Sequence, residues 1–283
     1  MSTCLVTGAN GYVGGAIAAG LRAEGWSVVP LSRHPGPDGI PFHLGSAPDV
    51  RRLAGADCLV HCAYDFTARD AGTTRARNVE GTRLLLAAAR DAGVRRVLVV
   101  SSMSAFPGCR SLYGRTKMEM EALARDQGAD VVRPGLVTGP AAGGVFGALW
   151  KVARSARIIP LIDHGSHVQY LVHQDDLARV VSAWAGQRLV WPDQPVIVAH
   201  PDPLTMKSLI SVLAGLAGRN PRFVSLPGAL VLAGLRIAES CGVPLKFRSD
   251  SLVGLMHPNP CPDFSAQSAM GLSLRPFPEG LEP

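Results

Sequence analysis

The sequence is poor in charge and in aromatic residues: of 283 residues only 18% are charged and 6% aromatic, while 47% are hydrophobic. That balance excludes a disordered chain and describes a compact one with a sizeable core. No long basic run occurs and no aromatics interleave with the basic residues. Arg51, Arg52, Arg75, Arg77, Arg95 and Arg96 are scattered, so the net charge of +6 predicts no nucleic-acid partner and instead a modest field suited to small anions. None of the six cysteines (Cys4, Cys58, Cys62, Cys109, Cys241, Cys261) forms a C-x-x-C pair, which predicts reduced, structural thiols rather than a disulfide framework or a zinc site. His164, His167 and His173 lack a cysteine or carboxylate at ligand spacing, so no metal is expected. No charged and then apolar leader opens the chain. The longest apolar stretch, Leu226 to Ala238, is too short and interrupted to span a bilayer and is expected as a packed helix. A cytoplasmic chain without a membrane partner is the expectation.

What is present begins at Thr3. In TCLVTGANGYVG an apolar run (Cys4, Leu5, Val6) ends at Thr7 and is followed by Gly8, Gly11 and Gly14, then by Ile17, Ala18 and Leu21 at helical spacing. This reads as strand, tight turn, helix. The glycines permit the turn, close approach of backbone to a ligand, and packing of helix on strand. The unpaired N–H groups and dipole at the helix start suit a pyrophosphate.

Trp26 to Leu31 reads as a second strand, ending in Ser32 and Arg33, with no acidic residue before Asp38. At that place an acid would select a ribose 2′-hydroxyl and an arginine would accept a 2′-phosphate, so NADP(H) is favoured, with NAD(H) as the alternative. A short strand is expected near Pro41 to Leu44. The run DCLVHCA, Asp57 to Ala63, fits a central parallel strand covered on both faces, and His61 within it is expected to be structural. Asn78 is expected to open a helix that stops at Gly93, and Arg95 to Ser101 reads as another buried strand. Strands alternating with helices imply an open, doubly wound parallel sheet.

That last strand ends in Ser101, Ser102, Met103 and Ser104, and Tyr113 and Lys117 follow in YGRTK. The four-residue spacing puts phenol and amine on one helix face, about 5 to 6 Å apart at Cβ. The ammonium is expected to lower the phenol pKa, so that Tyr113 exchanges a proton near neutrality while a serine hydroxyl holds the substrate oxygen. Hydride transfer at an alcohol or carbonyl carbon needs such a trio.

TGANGYVG, DCLVHCA, NVEGT, SSMSAF, YGRTK, RPGLVTGP and VHQDDLA occur in an order that resembles the extended branch of the short-chain dehydrogenase/reductase superfamily, the NAD-dependent epimerase/dehydratase family. The resemblance spans roughly residues 3 to 180, with a looser echo at DFSAQSAMGLSLRPFPEGL. It implies an α/β chain with a Rossmann-type doubly wound sheet in residues 1–135, to which segments near 173–200 are expected to return, and a smaller substrate lobe over most of 136–283. By the same resemblance Gly8, Asn10, Gly11, Tyr12 and Val13 hold the pyrophosphate and Arg33 the adenosine phosphate. Cys62 and Ala63 line the groove with Asn78 in support, and Pro134 and Val137 border the nicotinamide. Ser102, Tyr113 and Lys117 are the catalytic set, Lys117 also reaching the nicotinamide ribose. A homodimer through the helices near Asn78 and Tyr113 is implied.

Departures from the family pattern are informative. Gly45, Ser46 and Ala47 stand where a G-D-L motif is common, and Leu136 and Gln169 fall where sugar-nucleotide epimerases carry an asparagine and a phosphate-gripping arginine. Losing a bidentate cation weakens the case for a nucleotide-sugar substrate. Asp175 and Asp176 begin a helical pattern and are expected to complement its dipole. The leading expectation is an NAD(P)-dependent oxidoreductase acting on a small molecule. A nucleotide-sugar epimerase or dehydratase and a non-catalytic dinucleotide-binding protein are the alternatives.

Overall fold

The computed structural model describes residues 2–68, 70–140, 143–245 and 247–281. The first half alternates strand and helix. It comprises β1 (Thr3–Thr7), α1 (Tyr12–Ala23), β2 (Ser27–Ser32), β3 (Ile40–Pro41), α2 (Val50–Leu53), β4 (Cys58–His61), α3 (Ala71–Arg75), α4 (Gly81–Asp91), β5 (Arg96–Val100), α5 (Leu112–Asp126) and β6 (Asp130–Pro134). The second half holds β7 (Leu136–Thr138), α6 (Gly144–Ser155), β8 (Ile158–Ile162), β9 (Val168–Gln169), β10 (Leu171–His173), α7 (Gln174–Ala185), β11 (Val196–Val198), β12 (Leu204–Thr205), α8 (Met206–Leu216), β13 (Arg222–Leu226), α9 (Gly228–Ser240), α10 (Ser249–Met256) and α11 (Ser265–Ala269).

Seven strands form one parallel sheet in the order β11-β6-β5-β4-β1-β2-β3, the order of a Rossmann-type doubly wound α/β fold, with its reversal between β1 and β4. Side chains alternate across the pleat. Cys4, Val6, Cys58 and Val60 pack with Ile17 and Leu21 of α1 and with Leu177 and Trp184 of α7. Leu5 and Leu59 face the other way, onto Leu85 and Ala89 of α4. Burial on both faces is why these strands read as continuous apolar runs. Trp184 is fully buried, its indole donating to Asp130 Oδ2 at 2.6 Å with the Arg96 guanidinium 4.6 Å from the ring centroid. β11 pairs in parallel with β6, and Ala266 and Leu274 near the C-terminus enter the same core. A second core joins Phe146, Ile159, Leu161, Leu209 and Leu213 from α6, β8 and α8.

Three expectations are corrected. The strand foreseen at Pro41 to Leu44 covers only Ile40–Pro41; it is the sheet edge, and Gly45 with φ +97° bends the chain away. Asn78 does not open a helix. Asp70 caps α3 by accepting from Thr73 N, and a π-helical turn, Ala76–Glu80, carries the chain into α4 with Asn78 inside it. The stretch expected as a packed helix is α9, and it is not packed all round: Leu230 and Ile237 are 70% and 65% exposed. Hydropathy alone reads an all-apolar helix as buried, whereas here α10 covers only part of it. Among the described residues no helix is long and apolar enough to cross a membrane.

The α1–α7 contact is closest at Gly20, where a Cβ would lie 2.6 Å from Ala178 Cβ. Gly20→Val is expected to destabilise the protein by about 1–3 kcal/mol through overpacking. Urea denaturation checks this; an unchanged midpoint would refute the tight crossing.

Candidate active site

Every sequence-singled residue that follows a strand of the main sheet lies at its C-terminal edge, where ligands of open α/β folds bind. Gly8 has φ +68°, and a Cβ there would sit 3.1 Å from the Ala63 backbone. A Cβ on Gly14 would lie 2.3 Å from the Gly8 carbonyl oxygen, so α1 starts hard against the end of β1. Gly11 is the N-cap and no side chain caps the first turn, which leaves the N–H groups of Tyr12 and Val13 facing the turn. The Tyr12 hydroxyl is buried with no partner among the described residues, and burial pushes its pKa up to about 12. An uncapped helix start and a cradle that a Cβ would fill together fit a dinucleotide phosphate. Asn10 Nδ2 reaches Ser32 Oγ at 3.3 Å and the His34 carbonyl at 3.5 Å. That ties the glycine turn to the loop in which Arg33 is exposed.

The neighbouring strand end is held by hydroxyl and imidazole. Thr7 Oγ1 accepts from the N–H groups of Cys62 and Ala63, each at 3.1 Å, and bonds His61 Nδ1 at 2.7 Å. His61 Nε2 meets Thr82 Oγ1 at 3.0 Å, and Thr82 donates to the Asn78 carbonyl at 2.6 Å. Burial, with a contribution from Lys117, lowers the His61 pKa to about 3, so the ring is a neutral structural bridge. Asn78 accepts from Asp65 N at 2.7 Å and donates to the Thr74 carbonyl at 3.0 Å.

Helix α5 carries the phenol and the amine. Ser111 caps it by accepting from Gly114 N at 3.1 Å. Ser102, just beyond β5, lies close enough to the Tyr113 phenol to favour its ionised form, while its Oγ accepts from Ser104 N at 3.1 Å. Lys117 is buried; its Nζ donates to the Val100 carbonyl at 2.8 Å and lies 6.0 Å from the Tyr113 ring centroid. Serine, tyrosine and lysine therefore converge. The expected lowering of the phenol pKa does not occur: desolvation raises it to about 12, with only the Ser102 hydroxyl opposing. The amine is itself displaced, burial lowering Lys117 to about 8 against the pull of Cys62 and Glu121. Burial outweighs a partner whose proton is already engaged by a backbone carbonyl. Pro134, the last residue of β6, and Val137, in the middle of β7, are buried, and the Pro134 carbonyl accepts from Met103 N at 3.1 Å.

Sequence reasoning missed Tyr64, Phe66 and Asp250. The Tyr64 ring lies 5.0 Å from Tyr113 and 4.6 Å from Phe66 between centroids, and Lys117 Nζ stands 5.1 Å from it; two aromatics two residues apart beyond a strand were the available signal. Asp250 of α10 accepts from Leu112 N at 2.6 Å and Tyr113 N at 3.1 Å, so a remote carboxylate holds the start of α5. Asp176 lies in the first turn of α7 as its dipole suggested, but it also grips Arg275 through two bonds of 3.1 Å. Of the histidine group, His173 caps α7 through Asp175 N while His167 pairs with Asp163 at 3.2 Å.

A doubly wound sheet with a glycine turn at its switch point defines a Rossmann-type chain. Residues 4–190 match the model of the NAD dependent epimerase/dehydratase family. The chain belongs to that family, whose characterised relatives are enzymes. It is 28% identical over 247 residues to a ceramide reductase of Caulobacter vibrioides, covering 83% of this chain and 77% of the relative. It is 27% identical over 272 residues to a 4-hydroxy-2-methyl-3-oxo-4-farnesyl-3,4-dihydroquinoline-1-oxide ketoreductase of Stigmatella aurantiaca, covering 83% and 79%. In fold it resembles MoeE5 in complex with UDP-glucose and NAD, with a TM-score of 0.73 at 22% identity over 97% of this chain and 94% of that one.

A neutral His61 has a stability consequence. Its folded pKa lies below its ordinary 6.5, so the unfolded chain takes up a proton that the folded chain refuses. The protein is expected to lose stability as pH falls from about 6.5 toward 3, by up to about 1.4 kcal/mol per pH unit. Urea denaturation at pH 7 and pH 5 should show this part of the slope in the wild type and not in His61→Gln; equal slopes would refute it.

Proposed function

We propose that this chain is an NADP(H)-dependent reductase that interconverts a ketone and a secondary alcohol of an apolar small molecule, with Tyr113 exchanging the proton. The observation that carries the reading is the convergence of Ser102, Tyr113 and Lys117 on the sheet edge that also holds the glycine turn. When bound, the nicotinamide supplies or accepts hydride. Ser102 holds the substrate oxygen, and the Tyr113 phenol, protonated at neutral pH and held further in that form by burial, is suited to donate to a carbonyl oxygen as hydride arrives at carbon. Lys117 supports the charge that develops on the phenol. In this reading Gly8, Asn10, Gly11, Tyr12 and Val13 hold the pyrophosphate, and Arg33 meets an adenosine 2′-phosphate. Cys62, Ala63, Asn78, Pro134 and Val137 shape the groove.

The walls of the site point to the substrate class. The rings of Tyr64 and Phe66 flank Tyr113 and favour an apolar body. Leu136 and Gln169 bring no cation, and the Gln169 amide donates to the Val168 carbonyl at 2.7 Å. Two relatives are by name reductases, one of ceramide and one of a farnesylated dihydroquinoline oxide. A homodimer through α4 and α5 belongs to the proposal on family resemblance. The second reading, a nucleotide-sugar epimerase or dehydratase, is favoured by the likeness to MoeE5, solved with UDP-glucose and NAD.

Ketone reduction is followed with NADPH and with NADH across lipophilic carbonyl compounds. NADPH should be preferred, and Arg33→Ala should erase the preference. Tyr113→Phe should bind NADPH while losing about 10²–10⁴-fold in kcat; an undiminished rate removes Tyr113 from the mechanism. The rate should also decline as pH rises through about 8, where Lys117 gives up its charge. Thermal stabilisation by UDP-sugars with tightly retained NAD(H) and no net reduction would establish the second reading instead.

A further inference from the structure

Helix α9 presents an inverted amphipathic pattern. Ala229, Leu230, Ala233, Gly234 and Ile237 are exposed, and the positions 230, 233, 234 and 237 recur at the spacing of one helix face. Leu230 is 70% and Ile237 65% exposed. The strand that feeds this helix through Pro227 continues the pattern, since Val224 and Leu226 of β13 and Ile158 of its partner β8 are exposed too. Exposed apolar side chains gathered on one helix face and its feeding strand mark a site of association.

The segments around this face are basic. Residues 144–162 contain Lys151, Arg154 and Arg157 and no acid, and residues 203–238 contain Lys207, Arg219, Arg222 and Arg236 and no acid. These two stretches carry more positive charge than the whole chain nets, +6. Beside α9, Arg110, Arg115, Arg236 and His257 line a cavity of about 380 Å³ together with Leu232. The carboxylate in that cavity, Asp250, is engaged by the N–H groups of Leu112 and Tyr113. An anionic lipid surface complements the basic charge of these stretches and the apolar stripe together.

We propose that this face docks on an anionic lipid bilayer, with α9 lying in the plane of the interface, its apolar stripe at the headgroup–acyl boundary and the flanking arginines against lipid phosphates. Docking requires no spanning segment and stands independently of the reaction catalysed.

The test is sedimentation of the full chain with phosphatidylcholine vesicles, with and without phosphatidylglycerol. Binding is expected to the anionic vesicles and to weaken at high salt, because the arginines are screened. Leu230→Glu combined with Ile237→Glu should weaken binding about tenfold or more, and Arg222→Gln with Arg236→Gln should weaken it and flatten its salt dependence. Leu230→Trp should shift its emission to the blue on anionic vesicles. Because these side chains are exposed, unchanged far-ultraviolet dichroism confirms that each variant is folded, and the tryptophan reporter serves alone if the glutamate pair does not fold. Failure of the wild type to bind anionic vesicles, or binding by the glutamate pair equal to wild type, overturns the proposal. Self-association by light scattering that the glutamate pair abolishes also overturns it and assigns the face to a second copy.

Discussion

One buried hydroxyl holds the two strand ends between which the candidate cofactor groove opens. Thr7 Oγ1 takes the N–H groups of Cys62 and Ala63 and pairs with the neutral imidazole of His61, so β4 leaves the sheet pressed against the exit of β1. That is why Gly8 has no room for a Cβ beside Ala63. The network continues through Thr82 to Asn78, which grips the backbone of Asp65. Tyr64 sits between two anchored residues, and its ring is thereby delivered against Tyr113. The network depends on His61 staying uncharged, since an imidazolium would donate from both nitrogens and lose its acceptor role.

Burial sets the electrostatics around Tyr113. Both members of the tyrosine and lysine pair move toward their neutral forms, as desolvation disfavours the charged state of each. Lys117 remains anchored by the Val100 carbonyl, and behind it Glu121 is bound by Ser101 and by the Arg133 guanidinium. This buried ladder stiffens α5 against β5 and β6. Its N-terminal end is gripped from the other half of the chain by Asp250, and the same helix α10 contributes to the arginine-lined cavity beside α9. The candidate site and the exposed apolar face thus share one structural support.

Much of the fold was legible locally. The apolar runs at Cys4–Val6, Cys58–Val60 and Arg96–Val100 are strands because only a parallel sheet covered on both faces needs such uninterrupted hydrophobicity. The glycine turn was legible because a Cβ is sterically intolerable there, and Tyr113 and Lys117 because helical periodicity is a property of neighbours in sequence. Asn78 was misread because its asparagine resembles a cap, while the helix had already begun at the true cap, Asp70. Helix α9 was misread because hydropathy carries no information about whether a partner surface exists.

By itself, then, the sequence determined which segments are strands and helices, where the backbone must turn tightly, and which titratable side chains share a helix face, all consequences of short-range sterics and periodicity. Only the tertiary structure decided that Asp250 caps a helix more than a hundred residues earlier in the chain, that Tyr64 stands against Tyr113, and that burial rather than the nearby amine governs the phenol. Those outcomes depend on distances and desolvation between residues remote in sequence, which no local pattern encodes.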